Sequence, residues 1–398
     1  MGEEEEKRST TNCEEQQLEV EEEEEKQRKQ RRHFVLVHGI GHGAWCWYRI
    51  RSLLESSGYR VTCIDLAGAG IHPARADDIL SFDDYNKPLV DFMAALPNDD
   101  KVRLFFFSLS LSLSLSLSLS LSLSVFFIPF VCLPSSVLCF SSRRRRNRSR
   151  LRLVVIPGFP SGFGSKSENS YSVISLVLLP GEEDGDEGRV AAVAAVAAVA
   201  AVTAVSVIVV GHSAGGLSVT DVCYKFPEKI HLAIYVAATM LKSGFQSDQD
   251  FKDGVPDLSQ FGDVYELGFG SGPHAPPTSA LIRKEFQRKI IYYRSPDEDS
   301  TLASMLLRPG PISALTSAVF DGGDEIEKVP RVYIQTAGDH VMKPAQQEAM
   351  TKRWAPNQLF TVDSDHSPFF SATSQLLGCL LKAEALVSEK PHQRTVQN

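Results

Sequence analysis

The chain has 398 residues, 43% of them hydrophobic, and a formal net charge of −8. That length exceeds one average domain but suits a single α/β domain with insertions, and the apolar share is enough for a sizeable core. The acidic balance offers nucleic acid nothing to bind, and the acidic start argues against a secretory leader or a transit peptide, which avoid acidic residues.

The first 32 residues carry 12 Glu against 7 Lys and Arg. Such a run is expected to be a solvated, disordered arm. Met1-Gly2 invites N-myristoylation, but Glu6 stands where Ser or Thr is wanted. The 7 cysteines show no C-x-x-C spacing. Neither a disulfide framework nor a zinc site is therefore expected, and a reduced, cytoplasmic protein is.

From His33 the character changes. The apolar run HFVLVHG predicts a buried strand leading into a loop, and WYRIRSLLESSGY has helical spacing that stops at Gly58. RVTCIDLAGAG predicts a second strand ending at Asp65 in a Gly-rich loop, and FDDYNKPLVDFMAALP a helix closed by Pro97. After a long interruption, VIVVGHSAGGLSVTDVCYKF resumes strand, turn and helix. HLAIYVAATM, RVYIQTAGD and QLFTVDSDH read as three further strands. Alternation of this kind implies a parallel sheet with crossover helices.

The interruption, residues 103–206, includes FSLSLSLSLSLSLSLSLS, an Arg-rich run and VAAVAAVAAVAAV. Strict period-2 alternation over 17 residues is too long for a usual strand. Serine at every second position spoils a membrane span, and the later apolar run contains Pro129 and Pro134. A plain TC dinucleotide repeat, however, translates as Ser-Leu-Ser-Leu. Lys101-Val102-Arg103 is encodable as AAG-GTG-AGA, which resembles a splice donor, and joining NDDKV to IVVGHSAGG makes one continuous strand. The segment therefore reads as a retained intron or a mispredicted exon, disordered if translated. A transcript amplified across it as one full-length product would overturn that reading.

Gly211-His212-Ser213-Ala214-Gly215 fits G-x-S-x-G between a strand and a helix, the setting of a nucleophile elbow. A serine hydroxyl needs a base, and the base needs a carboxylate, in the chain order Ser, acid, His. AGDHVMKP supplies Asp339 and DSDHSPF supplies His366, each just after a predicted strand. His340 competes as base, and Asp363 and Asp365 compete as acid. Asp339 is preferred because the other two lie too close to His366 in sequence for good geometry. The oxyanion hole is expected from the N–H groups of Ala214 and Ile40, the latter in the loop HGIGHGAW. His72, His231, His274 and Cys46 fit no motif.

FVLVHGIGHGAWCWYRI, GHSAGGLSVT, FKDGVPDLSQFGDVYELGFG, HVMKPAQQEAMTKRW and SDHSPFF together resemble the plant methylesterases of the α/β-hydrolase superfamily, to which the hydroxynitrile lyases are related. The resemblance is closest to the methyl indole-3-acetate esterase type and covers 33–102 and 207–388. It implies an α/β-hydrolase fold: a mostly parallel central sheet flanked by helices, with a helical cap inserted after the sixth strand. The domain would span 33–102 and 207–390, with the cap at about 241–320 and 391–398 a disordered tail. Ser213 would be nucleophile, His366 base and Asp339 its partner, with Ile40 and Ala214 forming the hole. In the cap, Phe245, Phe261, Tyr265, Leu267 and Phe269 are candidate pocket residues, though each is more often plain cap core. The lyases carry Lys after the base and Thr after the first loop histidine; here those positions are Ser367 and Gly39.

The expected activity is hydrolysis of the methyl ester of a small plant hormone acid (an indole, jasmonate or salicylate ester), foremost methyl indole-3-acetate. No cofactor or metal is expected, no membrane, and no partner beyond the small ester, with a homodimer compatible. Two alternatives stay open: a non-catalytic hormone receptor on the same fold, and a hydroxynitrile lyase.

Overall fold

The structure, a computed structural model, describes Lys29 and residues 32–96 and 206–388. The readings of the acidic arm, of most of the 103–206 segment and of the C-terminal tail lie outside the described residues.

Six parallel strands form the central sheet in the order β2-β1-β3-β4-β7-β8. In chain order these are β1 (Arg32–Val37), β2 (Arg60–Ile64), β3 (Ser206–His212), β4 (Ile230–Val236), β7 (Arg331–Thr336) and β8 (Gln358–Val362). β1 and β3 each begin one residue ahead of the boundary read from the sequence. Their near-continuous apolar runs follow from burial of both sheet faces. Val35, Val37, Val207 and Val209 pack on one side, and Phe34, Leu36, Ile208 and Val210 on the other.

Helices cover both faces. On α1 (Tyr48–Ser56), Ile50 and Leu54 are spaced four apart and fully buried. Each such side chain contributes roughly 1.5–3 kcal/mol. α2 (Phe82–Ala95) is capped by Ser81, whose hydroxyl accepts from the Asp84 N–H. α3 (Gly215–Lys225) follows β3 directly.

Strand order decides where a site can form. The chain passes from β1 outward to β2, then returns to add β3 on the other side of β1. The direction of winding therefore switches between β1 and β3, which leaves a crevice beyond their carboxyl ends. The loop 38–45 and Ser213 both sit at those ends.

The cap lies between β4 and β7, so it follows the fourth central strand among the described residues, not the sixth. It is also not purely helical. It holds α4 (Asp248–Gly254), an antiparallel hairpin of β5 (Tyr265–Gly268) and β6 (Ser279–Ile282), then α5 (Lys284–Ile290), α6 (Asp297–Leu306) and α7 (Ile312–Thr316). After β7 come α8 (Pro344–Arg353), β8, α9 (Pro368–Ser371) and α10 (Thr373–Ser388).

Candidate active site

Ser213 follows the last residue of β3 and adopts φ 54, one of only two non-glycine residues with positive φ among the described residues. A side chain held in this left-handed region costs about 1–3 kcal/mol. The surroundings impose it. The Ser213 N–H donates to Val236 O at 3.2 Å, and its carbonyl accepts from Gly216 N and Thr239 N, each at 3.0 Å. The turn closes because Gly211 and Gly215 lie against each other: a Cβ on Gly211 would sit 2.5 Å from Gly215 O.

His366 and Asp339 meet in the interior, each 3% exposed, with Nδ1 of the imidazole 2.8 Å from Oδ2 of the carboxylate. Thr336 Oγ1 also donates to Oδ2 at 2.8 Å, while the N–H groups of Val341 and Met342 donate to Oδ1 at 2.8 and 2.9 Å. A carboxylate with four donors is fixed in orientation. It holds the proton of His366 on Nδ1 and leaves Nε2 as a free lone pair. The His366 loop is tied to the elbow: the His366 carbonyl accepts from His212 Nε2 at 2.7 Å, and the two rings lie 4.6 Å apart.

The competing residues are engaged elsewhere. Asp365 is fully buried, taking Arg294 N and Ser295 Oγ on one oxygen and Ser367 N and Ser371 Oγ on the other. Asp363 is exposed and pairs with Arg294. His340 stacks on Tyr293 at 4.2 Å, and its Nδ1 donates to Lys289 O.

Across from the elbow, the loop after β1 presses on Ser213 so closely that a Cβ on Gly39 would lie 2.6 Å from Ser213 Cβ. The carbonyl of the Gly39–Ile40 peptide accepts from His38 Nδ1 at 2.8 Å and from His42 N at 3.2 Å. In a trans peptide the N–H points opposite to the carbonyl, so these bonds aim the Ile40 N–H away from both histidines. Neither that N–H nor the one of Ala214 donates to any acceptor among the described residues.

Sequence reading missed the histidines that set this loop. His38 accepts from Leu66 N through Nε2, and His42 accepts from the Tyr292 hydroxyl through Nε2 at 2.7 Å while Nδ1 donates to Ile40 O. Burial lowers the pKa of His38 and of His212, and pushes His42 down to about 3. These imidazoles, of which His212 lies against His366, therefore add no charge to the site. The only signal in the sequence was their place in HGIGHG and GHS.

The five candidate pocket residues do not converge. Phe245 is buried and stacks on Phe251, Phe261 meets Lys289 and His340, Tyr265 is half-buried, and Leu267 and Phe269 are 44% and 45% exposed. Among the described residues no cluster of three His, Cys, Asp or Glu could hold a metal, and no helix is long and apolar enough to cross a membrane.

Comparison with known proteins places this geometry in a family. Residues 139–377 match a model of the alpha/beta hydrolase family, and 32–109 match one of the alpha/beta hydrolase fold. The chain is 38% identical to methylesterase 17 of Arabidopsis thaliana, over 89% of this chain and 92% of that one. It is 31% identical to the pheophorbidase of Raphanus sativus, over 88% and 94%. The crystal structure of the methylesterase MES16 from Arabidopsis superposes with a TM-score of 0.56 at 29% identity, covering 89% of this chain and 99% of that one. The chain thus belongs to the plant methylesterases of the α/β-hydrolase superfamily and is a carboxylic ester hydrolase built for methyl esters.

Proposed function

We propose that this protein hydrolyses the methyl ester of a small plant hormone acid, methyl indole-3-acetate first among them, through an acyl-enzyme on Ser213. The observation that carries the mechanism is the buried His366–Asp339 pair, tied through the His366 carbonyl to His212, the residue before a serine held at φ 54. Nε2 of His366 takes the Ser213 proton as Oγ attacks the ester carbonyl. The resulting oxyanion is received by the N–H groups of Ile40 and Ala214. Methanol departs with the proton from His366. A water molecule, deprotonated by the same imidazole, then attacks the acyl-enzyme, and His366 returns that proton to Ser213 Oγ as the acid leaves. One such oxyanion donor contributes about 100–1,000-fold to turnover.

The choice of acid rests on the likeness of the motifs to the indole ester type. Methyl jasmonate is the next candidate, because the chain is 26% identical, over 88% of its length, to methyl jasmonate esterase 1 of Vitis vinifera. Cyanide release would want a cation after the base, and Ser367 there is neutral and fully buried.

Acid release from methyl indole-3-acetate, methyl jasmonate and methyl salicylate, with Ser213→Ala as control, tests the proposal. Turnover of one ester that the control abolishes supports it and ranks the substrates. Tight binding of a free acid without turnover of any ester would replace it with the receptor reading.

A further inference from the structure

The oxyanion loop is held from two sides. His38 and His42 hold it from below; the cap segment that follows α6 holds it from above. The Arg308 N–H donates to Gly41 O at 3.0 Å. Its guanidinium reaches across the loop after β2, donating to Gly70 O at 3.0 Å, His72 O at 2.7 Å and Ala74 O at 3.0 Å. His72 belongs to the same arrangement, since its Nδ1 accepts from Gly68 N and Ala74 N. Among the described residues no carboxylate pairs with Arg308. Its planar fork is satisfied by backbone carbonyls, the kind of multiple contact that Lys, with one compact ammonium, reproduces poorly.

Two residues on, Gly310 is bridged to Ala280 of β6 by hydrogen bonds in both directions, 2.9 and 3.0 Å. It lies directly on the turn: a Cβ there would be 2.1 Å from Ile40 Cγ1, 2.8 Å from Ile40 Cδ1 and 3.1 Å from Gly41 N. The Gly310 backbone is not left-handed, so contact with Ile40 is what demands a glycine. The Leu307 side chain also reaches to within 3.5 Å of where a Cβ on Gly41 would stand. Segment 307–310 is therefore fixed to the cap at Ala280, fixed to the core at three carbonyls, and pressed against Ile40 and Gly41.

We infer that Arg308 and Gly310 are positioning residues for the oxyanion hole: they hold the Ile40–Gly41 turn so that the Ile40 N–H faces the ester carbonyl. The inference rests on the ester-hydrolase mechanism above for its kinetic consequence, though not for its geometry. Neither residue touches the reacting atoms. What each fixes is the direction of one N–H. A displacement of about 1 Å in such a group costs on the order of 100-fold in rate.

The experiment uses the full chain with Arg308→Met, Arg308→Lys and Gly310→Ala, measured in two ways. The first is amide hydrogen exchange of the peptide spanning 38–44. It is expected to quicken in Arg308→Met and Gly310→Ala, with Arg308→Lys in between. The second is ester hydrolysis, for which kcat is expected to fall about 10- to 100-fold with KM nearly unchanged. Unchanged exchange at 38–44 overturns the inference, as does a rise in KM alone, which would make the segment a substrate contact. If Arg308→Met does not fold, Gly310→Ala decides, because it removes no hydrogen-bonding group and acts on the turn by contact alone. A wild-type protein that hydrolyses no ester sinks the proposed function, and exchange then decides this inference alone.

Discussion

Replacing Asp339 with Asn separates the role of that carboxylate in holding a proton from its role in holding the fold. Oδ1 receives two backbone N–H groups, from Val341 and Met342, while Oδ2 receives Thr336 Oγ1 and His366 Nδ1. An asparagine of the same shape keeps its oxygen on the two backbone donors and turns its NH2 toward Thr336 and His366. The threonine hydroxyl can accept instead of donate. His366 cannot keep a proton on Nδ1 against an N–H, so the proton moves to Nε2, the atom that must accept from Ser213. The expected loss is about 10,000-fold in kcat at neutral pH, or about 5.5 kcal/mol of barrier, with little change in melting temperature. Asp339→Ala is a different perturbation. It removes the acceptor and leaves buried donors unpaired at about 1–3 kcal/mol each, so stability and kcat fall together. Acid release at saturating ester, with thermal melts of both variants, makes the comparison. An Asn variant keeping more than about a tenth of wild-type kcat, less than about 1.4 kcal/mol of barrier, would refute the tautomer argument.

Other outcomes follow from the same structure. Asp363→Asn should leave kcat within about twofold, because its pairing with Arg294 is exposed and worth at most about 1 kcal/mol; a collapse of activity would reinstate it as the acid. Gly215→Ala puts a Cβ 2.5 Å from His38 O and 3.0 Å from Val37 O. It should cost about 1–3 kcal/mol in chemical denaturation, and an unchanged midpoint would show that α3 is free to move away. His42 is held near 3 by burial, whereas an exposed imidazole in the unfolded chain titrates near ~6.5. Its contribution is therefore intact above that value and is withdrawn as pH falls toward 3, by about 2 kcal/mol at pH 5. Denaturation at pH 7 and pH 5 should show that loss in the wild type and a smaller one in His42→Gln; equal losses would argue against a neutral buried His42.

The strands and the order of the chemistry were legible in the chain. Apolar runs such as HFVLV and VIVV need two covered faces, and G-x-S-x-G between strand and helix needs a turn only glycines allow. Those are local matters, settled by side-chain pattern and backbone sterics. Asp339 was also legible, though only as the better of three candidates, because which carboxylate meets His366 depends on strands β7 and β8 lying side by side. Tertiary structure decided the rest. The aim of the Ile40 N–H depends on His38 and His42, on a cap arginine some 270 positions away in the sequence and on a glycine with no left-handed backbone to reveal it. The five aromatic and aliphatic cap residues read as pocket candidates scatter between cap core and surface, since composition says nothing about direction. A hydrogen bond or a close approach between distant segments leaves no trace in periodicity, and this is why the elbow serine was visible in the sequence while the groups that steady the loop across from it were not.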